Sequence, residues 1–279
     1  MKVMDHRIVN EPLKFFKSAA RMELKGRWLE AAVASGIYVI IVGIVGFIVE
    51  SLFPTLSFIT GIYTLIIFGP AVVGLYAYFM RIVRRQPTNV RDCFEGFEDF
   101  GRSLSLGVQM MVRVMLWTLL FIIPGIIAAY RYSQAPLLLR DHPDWTPGQC
   151  ISESKRLMVG NKGTLFTLEI SFIGWYILAC LPAIVFAAAY GAAAGVTDMT
   201  SLGFPLTLVM LIFEIPILFV YAYMKAADVV FYEELNRPVQ VYTVNNMGGS
   251  AYNDSGSYGA YDPNGFSGDF SGDDLFDDM

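Results

Sequence analysis

Long uninterrupted apolar runs alternate with short polar stretches along the chain, and nearly every Lys and Arg falls in the polar stretches. Apolar runs of roughly 20 residues are the length of helix that crosses a bilayer core. They are continuous rather than alternating, which argues against an outer-membrane barrel. The pattern predicts six transmembrane helices, over residues 28–53, 58–83, 104–123, 125–140, 164–190 and 204–224. Pro54 lies in a connection of a few residues, so the first two spans form a tight antiparallel hairpin. Gly36, Gly43 and Gly46 thin one side of the first span, and Gly61, Gly69 and Gly74 thin the second. Small residues of this kind let membrane helices pack closely.

Between the spans, three polar segments carry helical apolar spacing of their own. Residues 11–27 place Leu13, Phe16, Ala20 and Leu24 on one stripe, among Lys14, Lys17, Arg21, Lys25 and Arg27. Asn10 is the expected cap, with Pro12 in the first turn. Such a helix suits an anionic lipid surface. Residues 84–103 space Val90, Cys93, Phe94, Phe97 and Phe100 opposite Asp92, Glu95, Glu98 and Asp99, as a short interfacial helix with its Phe edge in lipid or on the bundle. Thr146, Pro147 and Gln149 form a capping box that opens a third helix, ended by Gly160-Asn161.

Charge orients the spans. Arg81, Arg84, Arg85, Arg91 and Arg102 precede the third span, and Arg140, Lys155, Arg156 and Lys162 follow the fourth. Both sets belong on the cytoplasmic side. Pro124-Gly125 is then an external turn, and both termini lie inside. The fourth span is short and carries Arg131, so it tilts or thins the bilayer locally. With no cleavable leader in view, the first span from about Trp28 serves as the targeting signal.

Composition sharpens this picture at one end of the chain. It is 55% hydrophobic and only 16% charged, against about a quarter charged in soluble domains. The net charge of −5 is misleading, because residues 238–279 hold seven Asp and no Lys or Arg, and without them the charge is +2. This Gly-, Ser- and Asp-rich tail is too polar to fold alone and is expected to be disordered. It can dock on the basic cytoplasmic face or on a basic protein partner. The expected organisation is a basic amphipathic segment 1–27, a six-span membrane domain 28–237 and an acidic tail 238–279.

Candidate chemistry is confined to ionisable groups within the spans, which are costly and point to function by default. Arg113, Arg131, Glu169 and Glu214 are these groups, with Gln109 beside the first and Asp228 near the inner end of the sixth span, where Lys225 also lies. A rise of about 1.5 Å per residue puts Arg113 level with Glu214, and Arg131 level with Glu169. The pairs either fix helix packing or line a polar cavity for an anion, a proton or a lipid head group. His6 and His142 have no metal partner at ligand spacing, and Cys93, Cys150 and Cys180 form no pair motif. No phosphate-binding glycine loop is present. Neither a catalytic site, a metal site nor a cofactor is expected, and lipid is a better partner than nucleic acid.

Several strings resemble the domain of unknown function 975 family of bacterial integral membrane proteins. They are Ser171-Phe172-Ile173-Gly174-Trp175, preceded by Met158-Val159-Gly160-Asn161-Lys162 and Glu153-Ser154-Lys155, with Phe94-Glu95-Gly96-Phe97, Phe100, Pro124-Gly125, Tyr132-Ser133, Ala135-Pro136 and Phe231-Tyr232. The resemblance covers residues 20–235 and implies a bacterial cytoplasmic-membrane protein; it carries no activity and no catalytic residue. Physically, Gly160 ends a surface helix, Lys162 anchors at the phosphate level, Ser171 lies early in the span, Gly174 allows close contact and Trp175 fixes packing. The expected function is that of a non-enzymatic accessory or scaffold component acting through lipid and protein contacts. The alternative is a small transporter or lipid-handling protein using the intramembrane charges.

Overall fold

Continuous apolar sequence favours helices, since a helix satisfies its backbone internally. In the computed structural model, which describes residues 7–44, 57–194 and 215–237, every regular element among them is helical. In chain order these are α1 (Leu13–Leu24), α2 (Trp28–Val39, continued by a wider π turn over Ile40–Ile44), α3 (Ser57–Val83), a 3-10 turn (Val90–Phe94), α4 (Glu95–Glu98), α5 (Phe100–Leu120), α6 (Ile122–Tyr132), α7 (Ala135–Asp141), α8 (Pro147–Leu157), α9 (Lys162–Ile170), α10 (Ile173–Ala194) and α11 (Ile215–Asn236). The end of the first expected span with its turn, the start of the sixth with Glu214, and the acidic tail fall outside the described residues.

Among the described residues, four helical stretches are long and apolar enough to cross a bilayer: Thr60–Val83, Phe100–Leu120, Lys162–Tyr190 and Ile215–Asn236. The pair α1 and α2, bent by 101°, would make a fifth. The expected span over 125–140 is not among them. Its sequence is broken at Ser133-Gln134 into α6 and α7, and the 11 residues of α6 reach only about 16 Å. The reversal is also displaced. Phe121 is extended, with φ −158° and ψ 147°, and Pro124 lies inside the first turn of α6, where its missing N–H leaves nothing unsatisfied. Gly125 packs on Thr118 so tightly that a β-carbon would overlap it.

The core lies toward one end of the bundle. The C-terminal half of α3, all of α7, and α11 from Ala222 to Leu235 supply most of its fully buried side chains, including Tyr78, Phe79, Leu137, Leu138 and Phe231. Backbone proximity makes this possible. A β-carbon on Gly74 would strike the Cys93 carbonyl group, one on Gly96 the Pro70 carbonyl oxygen, and one on Gly69 or Gly107 the facing backbone of α5 or α3. The expected thinning of the second span thus holds at Gly69 and Gly74, whereas Gly61 meets nothing within 4 Å.

The basic N-terminal helix departs from its expected place. Phe16, Ala20 and Leu24 are fully buried, and the Phe16 ring meets Phe231 of α11 edge-on at 5.6 Å. The apolar stripe therefore faces protein. Pro12, not Asn10, is the cap residue. Gly26, at φ +82°, takes the left-handed conformation that turns α1 into α2. The capping box at Thr146 and Gln149 forms as the sequence predicts. One face of α8 buries Cys150, Ile151, Ser154 and Leu157, and the other leaves Gln149, Ser152 and Lys155 exposed.

Ion pairs gather at this same end. Arg84 grips both oxygens of Asp141 at 2.6 and 2.8 Å and Glu233 at 2.7 Å, while Tyr232 donates to Asp141 at 2.8 Å. Glu95 bridges Arg81 and Arg140, and Arg7 reaches Glu11 and Glu234. Burial alone would raise the Asp141 carboxyl, but the Arg84 hydrogen bonds and charge outweigh it and hold Asp141 below the usual aspartate range. A depressed acid stabilises the fold fully above its unfolded pKa of about 4, and that stability is lost as pH falls through the folded value. Asp141→Asn is therefore expected to cost about 1.5–3 kcal/mol at neutral pH. In melting curves the gap from wild type closes below about pH 4.

Cys93 and Cys150 are buried at this end, and burial pushes their thiols up to about 12 and about 11 respectively. Since the thiolate is the nucleophile, neither is expected to react with iodoacetamide at neutral pH until the protein unfolds. Mass spectrometry of the alkylated protein checks this.

Candidate buried ionic site

One Lys and one Asp, a turn apart on α11, sit in the middle of the core. Asp228 is 3% exposed. Lys225 Nζ donates to Asp228 Oδ2 at 2.9 Å and to the Tyr76 hydroxyl of α3 at 3.2 Å. Tyr76 in turn donates to Asp228 Oδ2 at 3.5 Å, closing a triangle. The ammonium also lies 5.3 Å from the Tyr76 ring centre and 5.5 Å from that of Tyr221. Tyr221 stacks on Tyr38 of α2 at 6.0 Å. Aromatic faces favour a desolvated cation, so this cage compensates part of the cost of burying Lys225. Asp228 Oδ1 is buried with no hydrogen-bond partner.

A second carboxylate approaches from α9. Glu169 accepts a 2.5 Å hydrogen bond from Tyr130 of α6; it is half-buried, on a helix that packs against α11. Tyr176 of α10 donates to the Met224 sulfur at 3.9 Å on the same side. The ensemble is an ammonium, two carboxylates and a shell of tyrosines from four other helices and from α11 itself.

The four intramembrane charges singled out in the sequence are placed differently from their expected pairing. Arg131 and Glu169 form no ion pair; Glu169 takes Tyr130 instead, and the Arg131 carbonyl accepts from Ser154 at 3.0 Å. Arg113 donates within its own helix to the Gln109 carbonyl at 2.9 Å and to Gln109 Oε1 at 3.2 Å. Its expected partner, Glu214, lies outside the described residues. The centre at Lys225 and Asp228 was under-read because both residues were assigned to the inner end of a span. The helix instead continues to Asn236.

The motif around Ser171 marks a real break, between α9 and α10. Its packing residue is Phe172, fully buried and edge-on to Tyr223 at 4.9 Å. Lys17 of α1 lies 4.8 Å from the Phe172 ring centre and donates to the Ser171 carbonyl at 3.1 Å. Ser171 also donates to the Leu168 carbonyl. Among the described residues, Gly174 meets nothing within 4 Å and Trp175 is 47% exposed. Gly160, at φ +77°, ends the preceding segment, and Lys162 opens α9.

Beside Lys162, Asn161 accepts from the Val9 N–H at 2.9 Å and donates to the Arg7 carbonyl at 2.7 Å, tying the N-terminal strap to this joint. A family model described as Protein of unknown function (DUF975) matches residues 111–238. This is the family that the sequence resembles. The DUF975 segment runs from the second half of α5 to just past α11, so it contains Tyr130, Glu169, Tyr176, Lys225 and Asp228. Tyr38 and Tyr76 precede it. No curated protein and no solved structure matches the chain.

Proposed function

We propose that this is a multi-pass protein of the bacterial cytoplasmic membrane, with both termini cytoplasmic, that acts as a non-enzymatic accessory or scaffold component. The observation that carries the reading is the segregation of its surface. Around the α5–α6 reversal, Leu119, Phe121, Ile122 and Ile123 are 81%, 68%, 72% and 71% exposed, and α10 presents Ile177, Leu178, Ile184 and Val185. At the other end of α3 and α5 stand the ion pairs of Arg81, Arg84, Arg102 and Arg140. An apolar end of this size is stable in lipid and not in water, and the basic end suits the cytoplasmic face. Anionic head groups and, through the acidic tail, a protein partner are the expected contacts.

A second reading, transport or lipid handling, is favoured by the buried charges around Lys225. Crosslinking and mass spectrometry of native membranes, comparing the full chain with one ending at Arg237, separates the two. A stoichiometric partner lost on truncation supports the scaffold. A protein that purifies alone or with lipid in both forms overturns it in favour of the second reading.

A further inference from the structure

The buried centre is not electrically balanced. One ammonium, Lys225, pairs with buried Asp228 at 2.9 Å, and the half-buried Glu169 on the adjoining α9 forms no ion pair among the described residues. The remaining polar neighbours are neutral phenols: Tyr38 from α2, Tyr76 from α3, Tyr130 from α6, Tyr176 from α10 and Tyr221 from α11 itself. On α1, Lys17 is engaged by the Ser171 carbonyl and the Phe172 ring. On α6, Arg131 makes no ion pair with Glu169, as noted above. An uncompensated buried charge costs several kcal/mol, about as much as losing one partner of a buried pair. Two further facts point to what resolves the imbalance. Asp228 Oδ1 is a buried acceptor with no donor. Glu169 is met by a phenol instead of a cation.

We propose that Glu169, Asp228 and Lys225 form a single-proton binding site in the interior of the bundle, with the proton resting on Glu169 and Asp228 Oδ1 as its second seat. The site is a charge-counting device. Asp228 is matched by Lys225 at 2.9 Å, so the proton settles on the carboxylate that no cation meets. Its hydrogen bond from Tyr130 is made to Oε2, which leaves Oε1 to carry the proton. The inference goes beyond the scaffold reading and does not depend on it. A scaffold with such a centre senses pH, and a transporter couples to it.

Infrared spectroscopy of the full-length protein in lipid nanodiscs reads this directly, through the carbonyl stretch of a protonated carboxyl and its shift in deuterium oxide. At neutral pH, wild type is expected to show a band that is absent from both Glu169→Gln and Asp228→Asn. In either variant the remaining carboxylate is matched by Lys225, and no proton is needed. Lys225→Met is expected to double the band, since two carboxylates then lack a cation. Tyr130→Phe keeps every charge and removes one hydrogen bond, so the band keeps its intensity and moves to higher frequency. This last variant retains the test should a charge variant fail to fold. A band that survives in Asp228→Asn, or one indifferent to Tyr130→Phe, overturns the proposal. So does a wild type with no such band whose carboxylate stretch responds to sodium, which would place a metal cation there.

Discussion

Gly74→Ala is expected to destabilise the protein by about 1–3 kcal/mol or more, the range for overfilling a packed interior. The new β-carbon would overlap the Cys93 carbonyl group, backbone that no rotamer change can move. Facing it, Gly96 abuts the Pro70 carbonyl and the Gly74 nitrogen, so the two chains are locked from both sides. Alanine is the better helix former by about 1 kcal/mol, and that gain is too small to offset the overlap. Gly61→Ala, on the same helix with nothing within 4 Å, is the control. It should be neutral or slightly stabilising. Thermal unfolding in one detergent compares them, and equal midpoints would show that the α3–α4 contact is looser than described.

The second large effect is at Lys225. Lys225→Met removes the cation that meets Asp228 among the described residues and obliges that buried acid to take up a proton, at an expected cost of about 3–5 kcal/mol at neutral pH. Adding Asp228→Leu removes that unmatched acid, and the double variant is expected to be more stable than Lys225→Met alone. Chemical denaturation of the three proteins tests the order. A double variant less stable than the single would mean that packing, not charge, dominates the site.

Much of the helix plan was legible because membrane-length apolar runs and capping residues are local signals. The run over 58–83 and the Thr146-Pro147 helix start emerged close to their predicted places. The expectation of a fourth span rests on charge, which does not say whether the helix that crosses is continuous. Pro124 fits within a first turn, and the chain breaks instead at Ser133-Gln134, where Gln134 is buried. Depth matching paired Arg131 with Glu169 but took no account of Tyr130, whose hydroxyl is the nearer partner. The Ser171 motif was seen, while its working residue, Phe172, was overshadowed by the larger Trp175. Packing direction, which sequence spacing alone does not give, decided each case.

The docking of α1 against α11 also sets a timetable for biosynthesis. Phe231 is made about 215 residues after its partner Phe16 (231 − 16). At about 5–20 residues per second of translation, the helix waits roughly 10–40 s before that partner exists. Throughout that interval its apolar stripe, with Lys14, Lys17 and Arg21 alongside, has no final seat within its own chain. The nearby surface that suits a basic amphipathic helix is anionic lipid. In the folded protein α11 covers that stripe, so its apolar face is open to lipid only before the Phe231 segment is in place.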